Sequence, residues 1–351
     1  MVSESLKVSL MVTGVLLLLG GLGYLVFTAQ NSEKRTAETI KGTAMPGLLM
    51  LTATNSSKEQ ETRSIYAHSF PDKKTSSLGW DLHAYTGAEL TRDYSESPNG
   101  EWVIFAALRD RIEGEPLSEV ESSWQLYRAT YASLEEDNFT EALSNAERVT
   151  TATGLLYDPS ISNRGEVLYT ALPENEDVGA PIAASLGTIH YVDVKGDDQS
   201  LGEGISARWV DDYHFVYLKE DGLYIFNLLE EEEKKMLSLL SPVTTATTVG
   251  VSDDGTRVAI ATVDKASLLL ARISTSMDMA EGVMTIPVAG KSPVFLPNGE
   301  MVAIVTLAQE KETKQFTPIL MMYNASTLKE RALVPLSDFE PSSVTITDWF
   351  F

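Results

Sequence analysis

The chain of 351 residues contains no cysteine. That excludes disulfides, thiolate metal sites, a cysteine nucleophile and an acylated lipoprotein cysteine. Cationic residues are also scarce, with 27 Lys and Arg against 50 Asp and Glu, a formal charge of −23. Binding to phosphate backbones needs a clustered basic face, and none is visible, so no nucleic-acid partner is expected. Adsorption of the globular part to anionic lipid is disfavoured for the same reason. The acidity itself reads as a solvated surface kept soluble by like charge.

Histidine is the next shortage. His68, His83, His190 and His214 each fall in an expected strand beside aromatic residues. No pair has the i, i+4 spacing or the His-Glu pattern of a zinc site, so all four read as packed or exposed strand histidines. Gly250-Val251-Ser252-Asp253-Asp254-Gly255 has a faint likeness to a nucleophile elbow, but the spacing is wrong and the context is a hairpin turn. Asp-rich turns lack the alternating oxygen ligands of an EF-hand loop. A glycoside-cleaving site would need two converging carboxylates, and nothing in the sequence selects two. No catalytic, cofactor-binding or metal-binding residue is therefore assigned, and no cofactor is expected.

What the chain has is repetition. Ser97-Pro98-Asn99-Gly100-Glu101-Trp102-Val103-Ile104-Phe105 is a tight polar turn feeding an apolar strand. The phrase returns at Ser162-Asn163-Arg164-Gly165, at Ser252-Asp253-Asp254-Gly255 and at Leu296-Pro297-Asn298-Gly299. A weaker copy, Trp209-Val210-Asp211-Asp212-Tyr213-His214, has lost its glycine. Asn or Asp followed by Gly supplies the positive φ angles of a two-residue hairpin turn, and β-branched and aromatic residues suit the strand that follows. A second strand candidate follows each phrase, as at Ile189-His190-Tyr191-Val192 and Leu268-Leu269-Leu270-Ala271. After a longer first step the anchors recur at spacings in the forties, as propeller blades do.

An uncharged apolar run, Val8 to Ala29, is long enough at ~1.5 Å per residue to cross a ~30 Å hydrocarbon layer. Phe27 makes a poor −3 residue for cleavage after Ala29, which favours an uncleaved anchor over a signal peptide. The expected organisation is an N-terminal tail (1–7), a transmembrane helix (8–29), a stem (30–46) and an all-β region (47–351). A short tail, one span and a long C-terminal domain form the usual layout of an extracytoplasmic protein. Lys34, Arg35 and Lys41 beyond the span point the other way by the positive-inside rule, so a cytoplasmic orientation stays open.

Gly47 to Thr54, Ser64 to Phe70 and Trp80 to Tyr85 read as successive strands, with Trp80 to Thr91 as the outer half of a blade. Val344 to Phe351 reads as the start of a blade that the N-terminal strands complete, closing a ring without exposed edges. That makes six blades, or seven if the long first unit hides one. Two insertions interrupt that unit between residues 109 and 148. Glu230 to Lys235 reads as a solvated outer-strand hairpin.

The Ser-Pro-Asn-Gly and Ser-Asp-Asp-Gly turns, with the tryptophan of Trp209-Val210-Asp211-Asp212, resemble the TolB-type, WD-like β-propeller repeat over residues 47 to 351. The resemblance implies a propeller working as an interaction platform in the cell envelope. TolB carries a separate α/β domain before its propeller, for which the residues before 47 leave no room, so its role in the outer-membrane system is not carried over. The expected function is a membrane-anchored, non-enzymatic scaffold for another envelope protein or polymer, with 109–148 as the expected contact. The alternative is an extracytoplasmic propeller hydrolase or lyase acting on glycans or peptides, recognisable by three or more carboxylates with an Arg or His clustered at the channel mouth.

Overall fold

A computed structural model describes residues 47–55, 62–70, 74–77, 90–108, 124–130, 146–150, 155–173, 181–263, 265–296, 299–309, 316–335 and 345–350. The apolar run, the stem, Trp80 to Tyr85, His83 and nearly all of the insertion lie outside them. Among the described residues, no helix is long and apolar enough to cross a membrane. One compact unit comprises Ala44–Leu307 and Thr317–Phe351. The other, Met1–Thr43 with Ala308–Phe316, is almost wholly outside the described set.

The fold is all-β, in six four-stranded sheets. One holds β4 (Leu90–Glu96), β5 (Trp102–Leu108), β6 (Gln125–Thr130) and β7 (Glu147–Arg148). The next holds β8 (Leu155–Ile161), β9 (Val167–Leu172), β10 (Thr188–Val192) and β11 (Asp198–Glu203). Then come β12 (Ile205–Trp209), β13 (His214–Lys219), β14 (Gly222–Asn227) and β15 (Glu232–Ser238), followed by β16 (Thr247–Val251), β17 (Arg257–Thr262), β18 (Ser267–Ile273) and β19 (Ala280–Ile286). A fifth contains β20 (Lys291–Phe295), β21 (Met301–Gln309), β22 (Phe316–Asn324) and β23 (Glu330–Pro335).

The sixth sheet joins the two ends of the chain. Its order is β24 (Thr345–Phe350), β1 (Gly47–Asn55), β2 (Thr62–Phe70), β3 (Lys74–Ser77). β24 pairs antiparallel with β1, with Leu48 opposite Phe350 and Leu49 opposite Trp349. The expected composite of N- and C-terminal strands is present. The first strands of the sheets touch in the cycle β4, β8, β12, β16, β20, β24 and back to β4. This is a β-propeller in closed arrangement.

The outer half of a blade expected at Trp80 to Thr91 needs correction. Leu90 and Thr91 belong to β4, the first strand of the following sheet, and the fourth strand of the composite sheet is Lys74–Ser77. The strand before each turn is the element the repeat phrase missed. Each phrase covers a turn and its second strand, while the ring is made by the first.

Cores lie between sheets. Ile104, Trp124 and Leu126 of one sheet pack with Leu156, Val167 and Tyr169 of the next. Ala259, Leu268 and Leu270 pack with Phe295, Val302 and Ile304. Each fully buried Leu, Ile, Val or Phe contributes roughly 1.5–3 kcal/mol. The runs Val103-Ile104-Phe105-Ala106 and Val258-Ala259-Ile260-Ala261 are buried throughout, because the second strand of each sheet has a sheet against both faces.

Candidate functional site

The repeated turns pack into a belt on one face of the ring. In each glycine-containing turn the glycine N–H donates to the carbonyl three residues back: Gly100 to Ser97 (2.8 Å), Gly165 to Ser162 (3.0 Å), Gly255 to Ser252 (2.7 Å) and Gly299 to Leu296 (2.7 Å). These glycines have φ between 65° and 80°, whereas Asn99 and Asp254 do not enter positive φ. The two-residue hairpin expected from Asn-Gly is thus replaced by a wider turn in which glycine alone is left-handed. The serine hydroxyl explains the change. Ser97 Oγ accepts from Trp102 N (2.9 Å), Ser252 Oγ from Arg257 N (3.0 Å) and Ser162 Oγ from Glu166 N (3.1 Å). Where the glycine is missing, Asp211 Oδ1 accepts from the N–H groups of Tyr213 (2.8 Å) and His214 (2.7 Å), an Asx turn doing the same work.

Arginines stitch neighbouring turns together. Arg128 Nη1 donates to Gly165 O (2.5 Å), Arg164 Nη2 to Asp212 O (2.6 Å) and Arg257 Nη1 to Gly299 O (2.8 Å). Arg164 also stacks over Tyr213, 4.6 Å from the ring centroid. These three arginines are therefore committed to holding the ring.

A second polar cluster sits on the first strands. Register against the second strand breaks between Arg92 and Ser95, Tyr157 and Ser160, Ile205 and Arg208, and Lys291 and Val294. Asp158 (φ 54), Ser206 (φ 56) and Ser292 (φ 51) occupy left-handed backbone at three of these bulges. The side chains then bridge sheets. Ser206 Oγ donates to Asp158 Oδ2 (2.6 Å) and accepts from Val249 N (3.1 Å), and Arg208 donates through Nη2 to Asp158 Oδ1. Ser292 N donates to Thr248 Oγ1 (2.9 Å). Among the side chains described on these strands, Asp158 is the carboxylate of the cluster, and it is ion-paired with Arg208.

Two of the four histidines have described surroundings. His190 stacks on Tyr169 with centroids 4.8 Å apart and bonds Asp198 Oδ1 through Nδ1 (2.9 Å). Tyr169 donates its hydroxyl to Asp198 Oδ2 (2.6 Å). Desolvation acts to raise the Asp198 pKa, but the bonds from His190 and Tyr169 outweigh it and hold the carboxyl below its ordinary range. His214 Nδ1 lies 2.9 Å from both oxygens of Asp211. Among the described residues, no three His, Cys, Asp or Glu side chains are grouped to hold a metal ion. His68 lies in β2 without described surroundings. β15 is the acidic outer strand expected from Glu230 to Lys235: Glu232 to Lys235 are exposed, although Lys219 reaches Glu233 at 2.6 Å.

The opposite face carries the connections from second to third strands and from one sheet to the next. Two of these loops are fastened to each other. Ala183 and Thr244 form an isolated bridge, Ala184 N donates to Val243 O (2.9 Å) and Thr245 N to Ile182 O (2.8 Å). Leu186 is 59% exposed on one loop, and Leu240 projects fully into solvent from the other. Neither leucine carries a motif, and sequence reasoning missed both.

No family model and no curated protein matches the chain. Solved structures do match, and they show the fold. TolB from Acinetobacter baumannii superimposes with a TM-score of 0.58 at 16% identity, over 88% of this chain and 67% of that one. A chain of the nidogen/laminin complex superimposes with a TM-score of 0.54 at 7% identity, over 86% of this chain and 97% of that one. The fold is a propeller similar to that of TolB. The likeness extends around the ring, and at these identities it is a likeness of architecture.

Proposed function

We propose that the protein is a membrane-tethered, non-enzymatic scaffold of six blades that docks another envelope protein or polymer. The lipid bilayer is its second partner, reached through Val8 to Ala29. The observation that carries the reading is the pair of solvent-facing leucines on loops held rigid by their mutual backbone bonds. Rigidly presented apolar side chains on loops are how propellers and other scaffolds make contacts. Leu229, Val194 and Met279 are also exposed, but they sit singly on separate turns at the belt face.

Topology favours the leucine face as the free one. β1 begins where β24 ends, with Leu48 opposite Phe350, so the chain enters the propeller at the belt face. Leu186 and Leu240 lie on the face opposite to the start of β1. The connection from β5 to β6, residues 109–123, departs from and returns to the leucine face as well. The connection from β6 to β7, residues 131–146, instead joins strand ends at the belt face, so only the first part of 109–148 falls on the proposed contact face.

Two experiments test this reading. Ser57→Cys gives one thiol in a cysteine-free chain. Labelling by an impermeant maleimide before lysis supports an extracytoplasmic propeller, and protection until lysis places it in the cytoplasm. The double variant Leu186→Asp, Leu240→Asp is expected to lose co-purifying envelope partners that Leu229→Asp retains. Equal recovery with both would refute the assignment of the face.

A further inference from the structure

The sheets β16–β19 and β20–β23 are separated near the belt face by a cleft of ≈ 320 Å³ whose lining includes Arg257, Arg272, Glu281, Leu270, Met284 and Phe295. Two arginines in one cleft are unexpected in a chain of net charge −23. They are directly opposite each other on β17 and β18, so both side chains leave the sheet on the same side, where like charges repel.

The corresponding charges in neighbouring sheets have local partners. Glu166 takes Arg164 at 2.6 Å, and His214 takes Asp211 at 2.9 Å. Arg257 spends one N–H on Gly299 O, and no hydrogen bond or ion pair within the described residues engages Arg272, which is exposed. Glu281 stands across the strand pair from Arg272 without an ion pair between them. Two guanidinium groups and one carboxylate line the cleft, with the Asp254 carboxylate acting on Arg257 from outside the lining. The apolar lining comes from Leu270 and Met284 on the same sheet as the arginines and from Phe295 on the next. Gly282 at its rim has open space where a side chain would project.

From this juxtaposition we infer that the cleft is a binding site for a monocarboxylate on an apolar stem. The guanidinium fork of Arg272 receives the carboxylate in paired N–H···O bonds, and Arg257 supplies a second cation behind it. The stem lies on Met284 and Phe295. The volume sits at the small end of ligand pockets, which suits a small aromatic or aliphatic acid or the terminal residue of a polypeptide. This site is separate from the leucine face and does not depend on the scaffold reading.

The test uses the full chain in detergent, labelled with methyl-13C methionine, with the Met284 signal assigned by Met284→Leu. The probes are 3-phenylpropionate, its methyl ester, and a short peptide ending in Phe with a free or an amidated C-terminus. Saturable movement of the Met284 signal by carboxylates, absent for the ester and the amide, is the expected result. R272Q is expected to weaken binding about tenfold or more, and R272K by less, since it keeps the charge and loses the fork. Tighter binding of the free-ended peptide identifies the occupant as a polypeptide terminus, and tighter binding of phenylpropionate identifies a small acid. Equal shifts from acid and ester, or no saturable shift at millimolar probe, would overturn the site. So would an R272Q protein with the wild-type methionine spectrum and undiminished binding.

Discussion

Gly255 and Gly282 share a left-handed backbone but not an environment, and the difference separates two costs. At Gly255 a Cβ would fall 2.2 Å from Val210 O in the neighbouring turn, whereas at Gly282 nothing lies within 4 Å. Gly282→Ala is expected to cost about 1 kcal/mol, from backbone strain alone. Gly255→Ala adds a backbone collision between sheets and is expected to cost at least twice that, on the order of 2–4 kcal/mol. Urea unfolding of the two variants checks the ordering. Asp198 offers a pH test at the same scale. Its carboxyl is held below the ordinary range, so it adds stability above the unfolded-state pKa, and that stability is lost as pH falls through the folded value. Asp198→Asn is expected to cost about 1–2 kcal/mol near neutrality and to flatten the acid limb of a plot of Tm against pH. Gly255 was legible in sequence because only a turn explains it, whereas Gly282, inside β19, carries no such signal. The Asp198 bonds were not legible, since they join strands whose pairing the local pattern does not reveal.

Among elements, the first strands bear the ring and were the least legible. Leu155 to Ile161 and Ile205 to Trp209 carry Asp158, Ser206 and Arg208 in their middles, and bulges break the alternation that marks a strand. The second strands, buried on both faces, stood out as continuous apolar runs. The arginine stitches between turns were invisible for a related reason. Arg164 and Asp212 are 48 residues apart, and nothing local distinguishes a stitching arginine from a solvated one. The bulge cluster has a direct test. Asp158→Ala leaves Arg208 and Ser206 without their shared acceptor, and is expected to destabilise by about 2–3 kcal/mol. Asp158→Asn keeps a side-chain acceptor and tolerance of left-handed backbone, and is expected to cost less than half as much. Equal costs for the two would show that the backbone bulge, rather than the side-chain bridge, fastens β8 to β12.

At the scale of the whole molecule, closure divides the surface into two faces that differ in how their side chains are used. On the belt face, serine caps, turn glycines and the stitching arginines Arg128, Arg164 and Arg257 are committed to one another, and the chain enters through β1. The other face presents long connections, including Leu186 and Leu240 on loops braced by the Ala183–Thr244 bridge. Ring closure was legible because each end of the chain reads as a partial blade. The proposed docking face was not, because a leucine in a loop looks like any other leucine until its exposure is known. The most direct measurement places a photo-crosslinking amino acid at Leu240 or at Leu229 in the full chain and irradiates cells. A discrete adduct from position 240 that is absent from position 229, and lost when Leu186→Asp is added, is the result the scaffold account predicts. Adducts from position 229 alone, or the same adducts from both, would contradict it.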